Sequence, residues 1–167
     1  LYSSSNGDNA VFWYENTGAR PPRFVRRLVS DQAFYARSAY AADLDGDGDL
    51  DLMSASASDH EISWYENRGG TPLWFAEHLI AGSMWGARHV HAEDIDMDGD
   101  IDVLSGSELN NTIAWYENRG GSPPAFVTRY VSQQAWGIHA VYTADIDKDG
   151  DPDVVAANET GNSVAWY

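Results

Sequence analysis

The tetrapeptide Trp-Tyr-Glu-Asn at Trp13–Asn16 returns at Trp64–Asn67 and Trp115–Asn118, and Trp-Tyr returns at Trp166–Tyr167, each time 51 residues further on. The copies align without a gap. Gly18, Gly69 and Gly120 keep the same spacing, as do Pro21, Pro72 and Pro123, Phe24, Phe75 and Phe126, and the aromatic series Phe34, Trp85 and Trp136. A short unit that cannot bury its own apolar face must stack on its neighbours, so the chain is confined to repeat architectures.

The rhythm inside one unit is that of short strands. In the unit that begins near Trp85, extended segments are predicted at Arg88–Glu93, Ile101–Ser107, Thr112–Asn118 and Phe126–Ser132. Aromatic and β-branched residues fill them, and Asn110-Asn111 and Arg119-Gly120-Gly121 mark turns. No segment sustains a helical period. Four short antiparallel strands in about 50 residues is the signature of a β-propeller blade. The fold expected is therefore all-β, with about three and a third blades in one array over residues 1–167. The units run 1–33 (a partial blade), 34–84, 85–135 and 136–167 (a partial blade). The unfinished blade at either end predicts a segment of a longer propeller, or copies that pack to cover open sheet edges.

Between the first two strands of a unit lies a loop with Asp at every odd position. These loops are Asp43, Asp45, Asp47, Asp49, Asp51, then Asp94, Asp96, Asp98, Asp100, Asp102, then Asp145, Asp147, Asp149, Asp151, Asp153, with Gly48, Gly99 and Gly150 at the sixth position. They hold 15 of the 26 acidic residues, and the other 11 nearly balance the 10 Lys and Arg. The net charge of −16 is thus three focal sites on a near-neutral body, which argues against nucleic acid as a partner.

Calcium takes six to eight hard oxygens at about 2.3–2.6 Å, and alternating carboxylates around a sharply turning Gly suit it. Positions 1, 3, 5 and 9 are expected to offer side-chain oxygens and position 7 its carbonyl, giving about three ions, one per loop. An EF-hand also needs a Glu at position 12 and flanking helices. Position 12 is Ser54, Ser105 or Ala156, so a clasped β-hairpin is the reading that survives. Magnesium retains water and suits an all-protein cage less well. Carboxylates crowded into one turn repel until a cation neutralises them, which makes a structural role the expected one.

On these loops and strands the chain resembles the FG-GAP/VCBS repeats of integrin-like β-propellers, over essentially its whole length. Phe34-Tyr35, Trp85-Gly86 and Trp136-Gly137 stand where that family has Phe-Gly, and the first instance lacks the Gly. Pro152 replaces the apolar residue at loop position 8, where Leu50 and Ile101 stand in the other loops. The resemblance implies a calcium-binding adhesion, ligand-binding or structural module on a cell surface or secreted protein.

Other features carry less. One ring of each Trp-Tyr pair is expected to pack between blades, because alternate strand residues point to opposite faces. Trp85 and Trp136, before their strands and beside Gly, are candidate ligand-binding rings. Two sequons, Asn110-Asn111-Thr112 and Asn158-Glu159-Thr160, are candidate glycosylation sites at Asn110 and Asn158. His89 and His91 align with different residues in the other units and are expected near the central channel rather than on a metal. There is no Cys, and no apolar run long enough to span a membrane. The function expected is a calcium-stabilised extracellular structural or interaction module, part of a larger adhesive or self-assembling surface protein. Its partners would be copies of itself, the rest of a longer propeller, or extracellular proteins. A lectin binding glycans between blades is the alternative. With no nucleophile–base–orienter arrangement to be read, no enzyme activity is expected.

Overall fold

The computed structural model describes residues 2–5 and 7–167, so the opening residue of the first predicted unit lies outside the described residues. Fourteen strands form among them, in four antiparallel sheets. The first sheet holds β1 (Tyr2–Ser5), β2 (Ala10–Asn16) and β3 (Phe24–Ser30). The second holds β4 (Ala36–Ala42), β5 (Asp51–Ser56), β6 (Glu61–Asn67) and β7 (Phe75–Ala81), and the third β8 (Ala87–Glu93), β9 (Asp102–Ser107), β10 (Thr112–Asn118) and β11 (Phe126–Ser132). The fourth holds β12 (Ile138–Ala144), β13 (Asp153–Asn158) and β14 (Ser163–Trp166). Every sheet is a meander in chain order, as hairpin-joined blades require. The four segments predicted for the third sheet are all strands. The second of them starts at Asp102 rather than Ile101, because the loop extends through position 8. Among the described residues no helix is long and apolar enough to cross a membrane.

The sheets stack face to face, and the first strands of successive blades, β4, β8 and β12, pack against one another. Period-2 alternation sends neighbouring residues into different interfaces. Leu52 and Tyr65 face back into a cluster with Val11 of the first sheet and with Ala33 and Ala36 at the start of the second. Met53 and Trp64 face forward into a cluster with Val90, Val103 and Tyr116. The third interface gathers Leu104, Ile113, Ile138, Val141 and Val154, with Trp115 packed against it. Both rings of the Trp64-Tyr65 and Trp115-Tyr116 pairs are thus structural, one for each face of the blade. The buried Tyr hydroxyls find partners across the strand pair, Tyr65 with Ser54 Oγ at 3.0 Å and Tyr116 with Ser105 Oγ at 3.2 Å. Such pairing avoids the cost of an unsatisfied buried polar group.

The Glu of each Trp-Tyr-Glu-Asn is also held. Glu66 and Glu117 are each only 4% exposed. Glu66 meets Arg68 at 2.7 Å and His78 at 2.8 Å, and Glu117 meets Arg119 and Arg129, both at 2.7 Å. Hydrogen-bonding partners on both sides, with at least one Arg in each case, make burial of the carboxylate tolerable. Close blade contact needs small residues. A Cβ on Gly106 would lie 2.5 Å from Ile138 Cγ2 of the next blade, where the neighbouring units carry Ala55 and Ala157.

The inner strands carry a row of rings at one repeat position, Tyr40, His91 and Tyr142, with centroids 5.0 and 5.4 Å apart. His89 packs on Tyr142 at 4.9 Å. Burial, then the neighbouring His91, pulls the His89 imidazole down to about 4.

Candidate metal centres

Each Asp loop joins the first strand of a blade to the second: Asp43–Asp51 links β4 to β5, Asp94–Asp102 links β8 to β9, and Asp145–Asp153 links β12 to β13. Two left-handed residues shape the turn. Position 6 is Gly48, Gly99 or Gly150, with φ of 94, 99 and 102°. A Cβ there would meet nothing within 4 Å, so backbone conformation rather than space requires glycine. Position 4 is left-handed as well, at φ 72° for Gly46, 58° for Met97 and 66° for Lys148.

This path brings three carboxylates of each loop together: Asp43, Asp45 and Asp51; Asp94, Asp96 and Asp102; Asp145, Asp147 and Asp153. In each group one oxygen per residue lies within 4.8 Å of the others. These are positions 1, 3 and 9. The position-5 carboxylates of Asp47, Asp98 and Asp149 are not in these groups and accept the N–H of position 7 at 2.8, 2.9 and 3.0 Å, as Asp45 and Asp147 accept that of position 5. The position-7 side chains of Asp49, Asp100 and Asp151 are exposed.

The ninth Asp is the anchor. Asp51 is 1% and Asp102 0% exposed. Leu44 N–H donates to Asp51 Oδ2 at 3.1 Å and Asn67 N–H to Asp51 Oδ1 at 2.8 Å. Ile95 and Asn118 do the same for Asp102 at 3.0 and 2.7 Å, and Ile146 donates to Asp153 at 2.9 Å. Burial pushes the Asp51 and Asp102 carboxyls above the usual carboxylate range, and these amide donors oppose it. The indole N–H groups of Trp64 and Trp115 favour the same two anions without completing a hydrogen bond at standard geometry. Asp45 and Asp96 are raised too, by desolvation first and by neighbouring carboxylates, Asp47 and Asp98 among them.

A second set of residues positions the loops: Asn67 and Asn118, the last residues of the repeated tetrapeptide. Asn67 Nδ2 donates to the position-8 carbonyl of Leu50 at 3.2 Å, and Asn118 Nδ2 to that of Ile101 at 3.0 Å. Their Oδ1 atoms accept from Gly69 and Gly120 at 3.0 and 2.9 Å. The recurrence of Trp-Tyr-Glu-Asn in phase with the Asp loops was the available signal for them. A strand-only reading sees the Asn as a turn former and misses its second task.

Do these groups suit a metal ion? Their donors are hard carboxylate oxygens, and Asp43 Oδ1 is buried without a hydrogen-bond partner. Three carboxylates within one small volume form a site whose mutual repulsion a divalent cation would relieve. The three groups fit.

The other candidates sit elsewhere. Trp85 and Trp136 are 58% and 60% exposed, in the turns before β8 and β12, and Trp85 stacks on His60 with centroids 5.2 Å apart. Gly86 and Gly137 behind them are left-handed, and so is Tyr35 at φ 57° where the Gly is missing, its N–H held by Asn9 Oδ1 at 3.0 Å. Asn110 is exposed in its turn, and Asn158 is half-buried at the end of β13 with Oδ1 unpartnered.

A family model described as an FG-GAP-like repeat matches the chain three times, over residues 1–54, 43–105 and 94–156. Successive matches overlap on the first and second Asp loops, and the third loop lies inside the last match. No curated protein gives a match to the sequence.

Proposed function

The chain belongs to the FG-GAP-like repeat family, and from that premise we propose that it is a calcium-rigidified structural and interaction module working outside cells. The observation that carries the reading is the buried ninth Asp, tied by backbone amides to the loop and to the third strand. A cation drawn in by Asp43, Asp45 and Asp51, or by their counterparts, would lock the hairpin between first and second strands. It would also lock the third strand that grips the ninth Asp. The metal supplies charge neutralisation, and the chain's residues supply the geometry. Extracellular modules bind calcium at about 10⁻⁴–10⁻³ M, a range that extracellular calcium fills and resting cytosol does not. The role is that of a scaffold rather than a catalyst, because the recurrent polar residues all serve loop and strand geometry. Its partners are further propeller blades, copies of the chain, or extracellular proteins. The test is calorimetric titration with calcium, together with thermal melts in calcium and in excess chelator. Uptake of about three ions and a higher melting temperature in calcium support the reading, and a chain indifferent to chelator refutes it.

The exposed Trp85 and Trp136 favour one second reading, glycan binding by stacking on the free ring faces. A glycan array with the native chain and with Trp85→Ala and Trp136→Ala tests it. Binding lost in these variants supports the lectin role, and an empty array removes it.

A further inference from the structure

Asn118 differs from Asn67 in one contact. Its Nδ2 donates not only to Ile101 O of its own loop but also to Leu44 O of the preceding blade, at 3.0 Å, 74 residues away in sequence. Both Nδ2 hydrogens and the Oδ1 of Asn118 are therefore used, and the residue is 1% exposed. Leu44 lies between Asp43 and Asp45 in the first loop. Its side chain is 2% exposed in the interface with Trp64, Val103 and Tyr116, and its N–H holds Asp51 Oδ2. A continuous path of hydrogen bonds then runs from the first carboxylate group to the second. Asp51 accepts from Leu44 N–H, Leu44 O accepts from Asn118 Nδ2, and Asn118 N–H donates to Asp102 Oδ1 at 2.7 Å.

We infer that Asn118 is a positioning residue that couples the first metal centre to the second across the blade interface, so that filling one raises the affinity of the other. The inference rests on the calcium reading above. The physical reason lies in the Leu44 peptide. While Asp43, Asp45 and Asp51 repel one another, their repulsion works against the bonds and packing that hold the Leu44 peptide, and so against the carbonyl that orients Asn118. Neutralising that group holds the Leu44 carbonyl in place. The Asn118 amide is then set, and with it the two points, Ile101 O and Asp102 Oδ1, that shape the second loop. Linkage makes the effect reciprocal. A bond buried in an apolar interface carries such coupling better than one in water, because breaking it leaves both partners unsatisfied.

The test uses the full chain and calcium alone, with the third loop disabled by Asp145→Asn and Asp147→Asn in every protein. Calcium affinity of the second loop is measured by chelator competition, with the first loop intact and with it disabled by Asp43→Asn and Asp45→Asn. Disabling the first loop is expected to weaken the second about fivefold, the low end of ordinary coupling. In Asn118→Ala that ratio falls to one. In Asn67→Ala, whose Nδ2 bond stays within its own blade, the ratio is kept even though the first loop itself binds less well. A merely structural role for Asn118 would lower both affinities and leave the ratio unchanged, which would overturn the inference. A second measurement leaves Asn118 untouched. With the second loop disabled by Asp94→Asn and Asp96→Asn, calcium in the first loop is expected to slow hydrogen exchange at the Asn118 amide at least fivefold. Unchanged exchange there would also overturn it. Calcium uptake with independent sites refutes the coupling alone, whereas no uptake at all refutes the metal reading beneath it.

Discussion

Replacing Asp102 by Ala removes the anchor of the second loop. Its carboxylate is fully buried and accepts the N–H groups of Ile95 and Asn118 at 3.0 and 2.7 Å. Each buried donor left without a partner costs about 1–3 kcal/mol. Two of them give about 4 kcal/mol. Burial already disfavours this charge, so removing it returns part of that cost when no metal is present. The expected loss in chelator is therefore about 3 kcal/mol. In calcium at a hundred times the dissociation constant, each filled site adds about 2.7 kcal/mol to the native chain. Asp102→Ala forfeits one such contribution, so its deficit widens to about 5–6 kcal/mol. Asp102→Asn keeps an acceptor for one amide and falls between the two. Asp100→Ala is the control, because Asp100 is exposed and its change should stay within about 0.5 kcal/mol. Urea unfolding followed by Trp fluorescence, with and without chelator, reads these differences. Were Asp102→Ala to match Asp100→Ala in both conditions, the anchoring role of the ninth Asp would be refuted.

Further outcomes follow at four residues. The folded His89 has a pKa of about 4, below its ordinary 6.5, so the unfolded chain takes up the proton first as pH falls. Stability supported by neutral His89 is present above pH 6.5 and lost on the way to about 4, by at most about 3 kcal/mol. His89→Ser should flatten the profile in that window relative to the native chain, and an unchanged difference between pH 7 and 4.5 would count against it. Gly106→Ala drives a Cβ to 2.5 Å from Ile138 Cγ2 and should cost about 1–3 kcal/mol in urea unfolding, with no loss if the interface yields freely. Tyr65→Phe breaks the 3.0 Å bond to Ser54 and should cost about 1 kcal/mol. In the native protein the Tyr65 hydroxyl, pushed up to about 12 by burial, should stay protonated at pH 11 in an ultraviolet titration. Met97→Gly relieves a left-handed residue at φ 58° and should be neutral or stabilising by up to about 1 kcal/mol, whereas the same change at an ordinary loop residue would destabilise.

The strands of the third sheet were legible because aromatic and β-branched content and flanking turn residues are local properties, and Thr112–Asn118 and Phe126–Ser132 carry both signals. Ile101 has the β-branched apolar side chain of a strand residue. It stays in the loop, where its carbonyl is an acceptor for Asn118. The Asp loops were legible as candidate metal sites from residue type, alternation and Gly. Their internal division was not. The two left-handed residues turn the chain so that positions 1, 3 and 9 converge, while position 5 bonds back to position 7.

The repeat phase, the strand rhythm and the chemical type of the three loops belong to the sequence by itself, because each follows from identity and spacing along a single segment. Which Asp anchors each loop, why both rings of a Trp-Tyr pair are needed, and how Asn118 reaches Leu44 belong to the tertiary structure. These depend on how one blade seats on the next, and that seating is set by the summed packing of Leu44, Met53, Trp64, Val103 and Tyr116 rather than by any local pattern.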